Sequence, residues 1–402
     1  MEKKSHLEVG SVQVGMDVKV RPIVIIVMAV IQDKSDSSFL NEECSESVGL
    51  LTTYRCNLNC KYCYIRKKRN REMTLEMAQS ILEPFLLRKD GLLNIAFMGG
   101  ETLLSMNVIR PLVEWVEKRT WNRRYRFFGS TNGTLLDEDM KTWLRKHSGL
   151  LTLGLSYDGL PTAQANNRCS KTIDIDFFIK TWPKQPIQMT INKETVAQMA
   201  DGVVYLLNKG AIVHPNVAFE ECEWPKEKIV EYGRQLNRLI YYYNRHEEMP
   251  LISQFIHDLN EYAGNIGSDT RQFEICGAGN GFQVFDIDGK SYPCHILSPL
   301  VLEGDKLQDI RNGLISKTTD FSDENCLACP YKTTCPTCMA CNYLYRGCIR
   351  KRDKTHCLIM KTEVKAFIKK EVLRLLAKDK LSSEDATEVD SIKKLIDYEK
   401  SQ

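Results

Sequence analysis

The distribution of cysteine is the feature that most restricts how this chain can fold. Of fifteen cysteines in 402 residues, three lie between Cys56 and Cys63 and nine lie between Cys276 and Cys357. Cytosolic chains keep their thiols reduced, so such grouped spacings indicate metal or cluster binding more than disulfides. The apolar run 23–31 is too short to span a membrane, and no small-residue cleavage site follows it. We therefore expect a buried strand there and a cytoplasmic, metal-binding protein.

Between residues 48 and about 256, short apolar runs rich in β-branched residues alternate with longer amphipathic stretches. Parallel strands need such crossovers, and six units of this kind predict a sheet that curves into part of a barrel. Ligands would gather at the carboxyl ends of its strands. The predicted strands cover residues 48–54, 92–97, 124–130, 151–157, 186–191 and 211–217.

After about residue 270 the sequence changes to Gly, Pro and Cys punctuation with little regular periodicity. Such composition is typical of a segment in which metal clusters replace part of a hydrophobic core. The expected fold class is therefore α/β, a partial (β/α)6 TIM-like barrel with a small Cys-rich, cluster-stabilised C-terminal domain. The expected domains are a β-rich extension over 1–47, the barrel over 48–270, the Cys-rich domain over 271–358, and a C-terminal helix with a polar tail over 359–402.

The segment from Cys56 to Cys63 follows the first predicted strand and has the spacing C-x3-C-x2-C. Three thiolates on one short loop can hold three irons of a [4Fe–4S] cluster and leave the fourth iron free for a small ligand. A zinc site is the alternative, but zinc closes with four ligands, and this loop contains no fourth Cys or His. The spacing therefore favours an iron–sulfur cluster.

This loop, with Tyr62 beside its last cysteine, resembles the hallmark of the radical S-adenosylmethionine (radical SAM) superfamily. The resemblance implies that Cys56, Cys60 and Cys63 bind the cluster and that S-adenosylmethionine binds its free iron. One-electron reduction then yields a 5′-deoxyadenosyl radical that abstracts hydrogen.

Three later segments, each at the end of a predicted strand, are similar to cofactor motifs of the same family. They are 98–101 (Met-Gly-Gly-Glu), 130–133 (Ser-Thr-Asn-Gly) and 155–159 followed by Asn167 and Arg168. Each motif alone is common turn chemistry, and their order along the chain is what supports the resemblance. The cofactor-binding residues that it implies are Tyr62, Gly99, Gly100, Glu101, Ser130, Asn132, Ser156, Asp158 and Arg168.

The cysteines after residue 270 form a second pattern, with C-x2-C-x5-C-x2-C-x2-C from Cys326 to Cys341 at its centre. Two zinc ribbons could use such spacings, but the first loop favours further iron–sulfur clusters. The array resembles the SPASM domain, the auxiliary-cluster extension of peptide-modifying radical SAM enzymes. The resemblance implies two auxiliary clusters, an outer one held by Cys326, Cys329, Cys335 and Cys357, and an inner one held by Cys276, Cys294 and Cys338.

This chain departs from the SPASM pattern in two ways. The spacing after Cys335 is one residue shorter than the commoner form, and no cysteine lies between Cys276 and Cys294. Two cysteines, Cys341 and Cys348, are spare. Two alternatives follow: the inner cluster keeps an open iron that could bind a substrate thiolate, or one of the spare cysteines closes it.

The resemblance implies a maturase that modifies a ribosomally made peptide or protein by hydrogen abstraction. An open inner iron favours a Cys thioether crosslink, because an iron-bound thiolate is a partner for a carbon radical. Anaerobic sulfatase maturation, which oxidises Cys or Ser to formylglycine, is the second interpretation. A catalytically inactive homologue that binds a leader peptide is the third. The sequence does not identify a catalytic acid or base.

The charge pattern bears on the partners. The formal net charge is +3, and Lys and Arg are spread among Asp and Glu, which disfavours nucleic acid. No apolar run reaches the length of a membrane helix. We expect a peptide or protein substrate, an electron donor such as flavodoxin or ferredoxin, and a separate leader-binding protein.

Overall fold

The computed structural model describes residues 45–89, 91–219, 223–268, 276–278, 281–315, 323–335 and 337–401. The extension expected over residues 1–47 lies almost wholly outside the described residues, as does the boundary predicted near residue 270. The strands are β1 Ser45–Thr53, β2 Leu92–Gly99, β3 Arg124–Thr131, β4 Leu151–Leu155, β5 Ile187–Ile191, β6 Val213–Val217, β7 Phe282–Phe285 and β8 Ser291–Tyr292.

The helices alternate with the first six strands and then dominate the C-terminal part. They are α1 Leu75–Leu86, α2 Met106–Glu117, α3 Glu138–Lys146, α4 Pro161–Asn167, α5 Ile175–Thr181, α6 Met199–Leu207, α7 Lys226–Tyr243, α8 Leu259–Gly264, α9 Gly304–Arg311, α10 Met339–Arg346, α11 Lys354–Leu376 and α12 Ser383–Ser401. No helix among the described residues is both long enough and apolar enough to cross a membrane.

The first six strands build the curved sheet that the sequence predicts. Strands β1 to β4 pair in parallel in the order β4-β3-β2-β1, and β5 pairs in parallel with β6. A bridge between Ser156 and Gln188 joins β4 to β5, where the Tyr157 N–H donates to the Gln188 carbonyl at 2.9 Å. The fold class, an α/β partial barrel with a Cys-rich C-terminal region, is confirmed.

The sheet continues on the other side of β1 in a way that the sequence did not predict. Strand β7 pairs in parallel with β1, from Ser47 opposite Phe282 to Leu50 opposite Phe285, and β8 pairs antiparallel with β7. The sequence after residue 270 has little regular periodicity, and we predicted no strand there. A strand of four residues is too short to give a readable alternation of apolar and polar positions.

Local signals explain where the barrel helices begin. Thr74 accepts a hydrogen bond from the Met77 N–H before α1, and Asp137 accepts one from the Met140 N–H before α3.

The face of α1 that packs on the sheet is apolar, and one buried core runs beneath the helices and through the sheet. The buried residues of α1 are Ala78, Ile81, Leu82, Phe85 and Leu86.

The C-terminal segment contains two helices, where the sequence led us to expect one helix and a polar tail. Helix α11 packs on α7 of the barrel, and α12 packs on α8. In α12 only a few apolar side chains, among them Ile392 and Leu395, are buried. Much of its attachment is ionic, as between Arg374 and Glu388 (2.6 Å). A helix held by so few apolar residues leaves little hydrophobic periodicity in the sequence.

Candidate functional site

The three cysteines of the first loop lie together just beyond the carboxyl end of β1. The Cys63 N–H donates to the Cys60 carbonyl at 3.1 Å, which closes a turn between the two thiols. Cys60 lies within electrostatic range of both Cys63 and Cys56. Burial raises the pKa of the Cys60 thiol to about 11, and the Arg168 guanidinium opposes this rise. Three thiols on one loop can hold three irons of a [4Fe–4S] cluster.

Gly99 and Gly100 bring the end of β2 against the chain that leads into this loop. The Gly100 N–H donates to the Thr53 carbonyl (3.0 Å), and the Glu101 N–H donates to the Arg55 carbonyl (2.9 Å). A Cβ atom on Gly99 would lie 2.2 Å from the Thr53 oxygen, and one on Gly100 would lie 2.1 Å from the Arg55 oxygen. Only glycine fits this contact, which anchors the cysteine loop to the sheet.

Glu101 joins the ends of β2 and β3. Its carboxylate is buried and accepts hydrogen bonds from the Thr131 hydroxyl (2.5 Å), the Asn132 N–H (2.8 Å) and the Leu103 N–H (3.1 Å). Burial raises the pKa of this carboxyl, and the three hydrogen bonds oppose the rise. A buried carboxylate at this edge is suited to receive a cationic group of a ligand.

Asn132 connects the end of β3 to the cysteine loop. Its Nδ2 donates to Asn57 Oδ1 at 3.0 Å, and Asn57 Nδ2 donates to the Thr134 hydroxyl at 2.7 Å. Asn57 directly follows Cys56, so this pair fixes the loop on a second side. Ser130, the other predicted residue of this strand end, is exposed.

Asp158 is the centre of a buried polar network after β4. Its carboxylate accepts hydrogen bonds from the Tyr62 hydroxyl (2.7 Å), Arg168 Nε (3.0 Å), Asn167 Nδ2 (3.1 Å) and the Thr190 N–H (3.1 Å). The Arg168 guanidinium also lies 5.3 Å from the centre of the Tyr62 ring. The structure thus brings Tyr62 of the cysteine loop together with Asp158 and Arg168 of the segment after β4.

Two contributors to this edge were not predicted from the sequence. Thr190 holds Asp158 through its N–H and Arg168 through its hydroxyl (3.2 Å), and Gln188 bridges Ser156. Both lie on β5, where alternate side chains are less buried than their neighbours. That period-2 polarity near a strand's carboxyl end was the signal available in the sequence.

The second array separates into two groups of thiols, and the inner group contains four. Cys294 lies within electrostatic range of Cys338 and Cys276, and Cys341 lies within range of Cys338 and Cys294. The Cys341 N–H donates to Cys338 Sγ at 3.4 Å, and the Ile296 N–H donates to Cys294 Sγ at 3.3 Å. Burial raises the pKa of Cys294 well above its ordinary value. The structure places Cys341 beside Cys338 and Cys294, two of the three cysteines implied for the inner cluster.

The outer group contains Cys326, Cys329, Cys335 and Cys357. Cys326 and Cys335 each lie within electrostatic range of Cys329 and Cys357. Burial raises the pKa of Cys335 to about 12, and Arg352 opposes this rise. Arg352 Nε is buried without a hydrogen-bond partner among the described residues. A half-buried cation with an unused, buried donor atom fits a negatively charged, thiolate-bound cluster.

Cys348 is separated from the inner group. It is exposed and follows the carboxyl end of α10, whereas Cys338 caps the amino end of that helix. The helix has eight residues, which span roughly 12 Å. Of the two spare cysteines, the structure therefore brings only Cys341 to the inner thiols.

A hydrogen-bonded aromatic pair links the first loop to the inner group. A hydrogen bond of 2.8 Å joins the Tyr64 hydroxyl to His295 Nε2, and the ring centres lie 5.4 Å apart. Tyr64 follows Cys63, and His295 follows Cys294. Burial lowers the pKa of His295 to about 4, so the imidazole is neutral at pH 7. The two cysteine sites are thus in contact through these two side chains.

Comparisons with known proteins agree with this geometry. The family model for the Radical SAM superfamily matches residues 50–181. An uncharacterized protein of Methanocaldococcus jannaschii is 28% identical over 207 residues, which are 47% of this chain and 70% of that protein. A cysteine-type anaerobic sulfatase-maturating enzyme of Clostridium perfringens is 33% identical over 114 residues, which are 26% of this chain and 30% of that enzyme.

Two solved structures share the fold over most of the chain. Native anSMEcpe with bound AdoMet superimposes with a TM-score of 0.60 at 19% identity. The superposition covers 83% of this chain and 98% of the anSMEcpe chain. Streptococcus suis SuiB bound to precursor peptide SuiA gives a TM-score of 0.51 at 17% identity. This superposition covers 80% of this chain and 78% of the SuiB chain. At these identities the likeness concerns the fold.

The family match and the cysteine loop define the class of the barrel: the chain contains a Radical SAM domain over residues 50–181, which marks it as an enzyme. Within that class, its fold is the one that anSMEcpe and SuiB share. The family resemblance inferred from the sequence is thereby confirmed.

Proposed function

We propose that this enzyme is a maturase that modifies a ribosomally made peptide or protein by hydrogen abstraction. The observation that carries the proposal is the meeting of Cys56, Cys60 and Cys63 with Glu101 and Asp158 at the carboxyl edge of one parallel sheet. Cys56 lies within electrostatic range of Glu101, and Cys60 within range of Asp158, so cluster and cofactor groups would share one site.

The residues present fit a [4Fe–4S] cluster with S-adenosylmethionine. When bound, this group supplies a 5′-deoxyadenosyl radical, and auxiliary clusters supply an electron acceptor. Glu101 would receive the methionine amino group, exchanging part of its contact with Thr131 for the ammonium. Asn132 and Arg168 would bind the remaining polar groups of the cofactor. Tyr62, Gly99, Gly100, Ser130, Ser156 and Asp158 would complete the site.

The proposed substrate is a peptide or protein that contains cysteine. The solved relatives support this choice, since SuiB was crystallised with precursor peptide SuiA and anSMEcpe with a peptide named Cp18Cys. Thirteen free cysteines among the described residues support a cytoplasmic location. The proposed partners are an electron donor such as flavodoxin or ferredoxin and a separate leader-binding protein.

The first product that we propose is a thioether crosslink between a substrate cysteine and a residue carbon. The sequence argument for it assumed an open inner iron, and the position of Cys341 weakens that assumption. Thioether formation removes two hydrogen atoms from the substrate, which is a two-electron oxidation. An auxiliary cluster can accept an electron in this oxidation whether or not it has an open iron.

The second candidate product is formylglycine. The relationship to the cysteine-type sulfatase-maturating enzyme favours it. A base is needed to deprotonate the intermediate, and the buried carboxylates of Glu101 and Asp158 are both engaged in internal hydrogen bonds. Neither carboxylate is therefore a free base in this structure.

The test begins with anaerobic reconstitution of the full chain and incubation with S-adenosylmethionine and dithionite. We expect about twelve irons per chain and formation of 5′-deoxyadenosine. Cysteine-containing peptides encoded near this chain are then added and analysed by mass spectrometry. A crosslink appears as loss of two hydrogens with retained sulfur, whereas formylglycine from Cys loses sulfur and reacts with hydrazines. Iron-loaded protein that forms no deoxyadenosine but binds these peptides would instead be the inactive leader-binding homologue.

A further inference from the structure

We infer that Cys341 is the fourth protein ligand of the inner auxiliary cluster, together with Cys276, Cys294 and Cys338, so that this cluster has no open iron. The inference rests on the proposed function for the presence of the cluster, and on this chain's own geometry for the ligand set. It addresses the point at which the chain departs from the SPASM pattern, the missing cysteine between Cys276 and Cys294.

The turn between Cys338 and Cys341 holds both side chains at the amino end of α10. Cys338 is the N-cap residue, and its sulfur accepts the N–H of Cys341 at 3.4 Å. Both thiols are buried, with 4% and 2% of their surface exposed. The amino end of a helix favours negative charge, which suits thiolates that carry an iron cluster.

The other side of the inner group is built in the same way. Cys294 is 9% exposed and caps the 3-10 helix His295–Leu297, where it accepts the Ile296 N–H. N–H groups directed at sulfur are a usual feature of cluster-binding thiolates. These cysteines belong to an apolar cluster that includes Tyr292, Met339 and Tyr343. Four thiols in an apolar surrounding are a donor set for a [4Fe–4S] cluster.

The competing ligand is Cys348, and its position excludes it. It lies beyond Gly347, whose φ of +67° ends α10 in the left-handed conformation. The thiol stands at the opposite end of the helix from Cys338. To reach the inner group it would have to replace Cys341, which already occupies that place.

A closed inner cluster changes how the substrate is held. A cluster with four cysteine ligands has no iron free for a thiolate of the substrate. The sulfur of a substrate cysteine would then be positioned by protein groups alone. The closed cluster remains able to accept an electron.

The test compares four full-length proteins after anaerobic reconstitution: the wild type, Cys341→Ala, Cys348→Ala and Cys169→Ala. Cys169 lies outside both arrays and is the matched control. The readouts are iron and sulfide content and the Mössbauer and EPR spectra, recorded with S-adenosylmethionine present to occupy the open iron of the first cluster, with and without added L-cysteine as a thiol probe. We expect Cys341→Ala to lose about one to four irons per chain, or to keep them and acquire a spectrum that shifts with L-cysteine. The other three proteins should match one another and not respond.

An unchanged Cys341→Ala protein, or a wild type whose inner cluster responds to L-cysteine, would overturn the inference. Equal changes in Cys341→Ala and Cys348→Ala would also overturn it, because a single fourth ligand would then not exist. A separate assay for 5′-deoxyadenosine tests the proposed function. Wild-type protein that binds its clusters but does not cleave S-adenosylmethionine would refute that function and leave the ligand assignment standing.

Discussion

The first cysteine loop and the outer group of cysteines are positioned by different means. Around the first loop, Gly100, Glu101 and Asn132 hold the chain near Cys56 by hydrogen bonds to strand ends of a well-packed sheet. The outer group lies among turns, a single-turn helix at Glu324–Cys326 and the start of α11. The comparison teaches that the barrel can form its site before metal arrives, whereas the outer site depends on the cluster to hold its loops together.

The largest effect is expected from removing the first cluster. Combined substitution of Cys56, Cys60 and Cys63 by Ala should abolish 5′-deoxyadenosine formation, because no thiolate then holds the iron that binds the cofactor. The barrel should remain folded, since its anchoring hydrogen bonds use backbone groups and other side chains. Product assay by chromatography and far-UV circular dichroism measure the two parts. Deoxyadenosine from this variant would refute the assignment of the site.

A large effect on structure, and a smaller one on cofactor cleavage, is expected at the outer site. Cys335→Ala should remove about four irons and make the segment around residues 323–357 at least about tenfold more sensitive to limited proteolysis, because the cluster holds these turns together. The barrel fragment should stay resistant. Cys348→Ala, which alters an exposed thiol in the same region, is the matched control. Equal resistance of both variants would contradict the proposed difference between the sites.

The smallest effect concerns the seam where α11 packs on α7. Glu363 is buried and accepts a hydrogen bond from the Tyr232 hydroxyl, and burial raises its pKa to about 7. The pKa of this carboxyl is higher in the folded state than in the unfolded state. Its contribution to the free energy of unfolding is therefore greatest below pH 4.5 and is lost as the pH rises through 7. Between pH 5 and 8 the free energy of unfolding of the wild type should therefore fall by up to about 3 kcal/mol more than that of Glu363→Gln.

Chemical denaturation of the unreconstituted protein at several pH values measures that change in the free energy of unfolding. Glu399→Gln is the comparison variant. The Glu399 carboxylate forms an ion pair with Lys365 (3.0 Å) and does not lie at the seam between α11 and α7. A Glu363→Gln profile parallel to that of the wild type would show that this carboxyl does not titrate in the range.

The sequence predicted much of the barrel and the composition of the first site. The strands after residue 48 could be found because short apolar runs alternate with longer amphipathic stretches, and some of the helices begin at a clear cap such as Thr74. The cysteine loop could be found from its C-x3-C-x2-C spacing. The strand ends were also readable, so Glu101, Asn132 and Asp158 were placed at one edge from their order alone.

Other features depend on contacts that leave little local trace. Strand β7 is recognisable only through its pairing with β1, and α12 is held by ion pairs and few apolar residues. Thr190 contributes partly through its backbone N–H, which any residue but proline could supply. The choice between Cys341 and Cys348 needed the geometry of α10, because their spacings from Cys338 gave no preference.

The pairing of β1 with β7 also has a consequence for biosynthesis. Residue 282 of β7 is made about 230 residues after the end of β1 at residue 53, a delay of roughly 10 to 50 s at ordinary rates of translation. During that interval the apolar edge of β1 around Leu50 lacks its native neighbour. An unpaired apolar edge invites wrong association, so yield of folded enzyme should depend on how quickly the ribosome completes the second half of the chain.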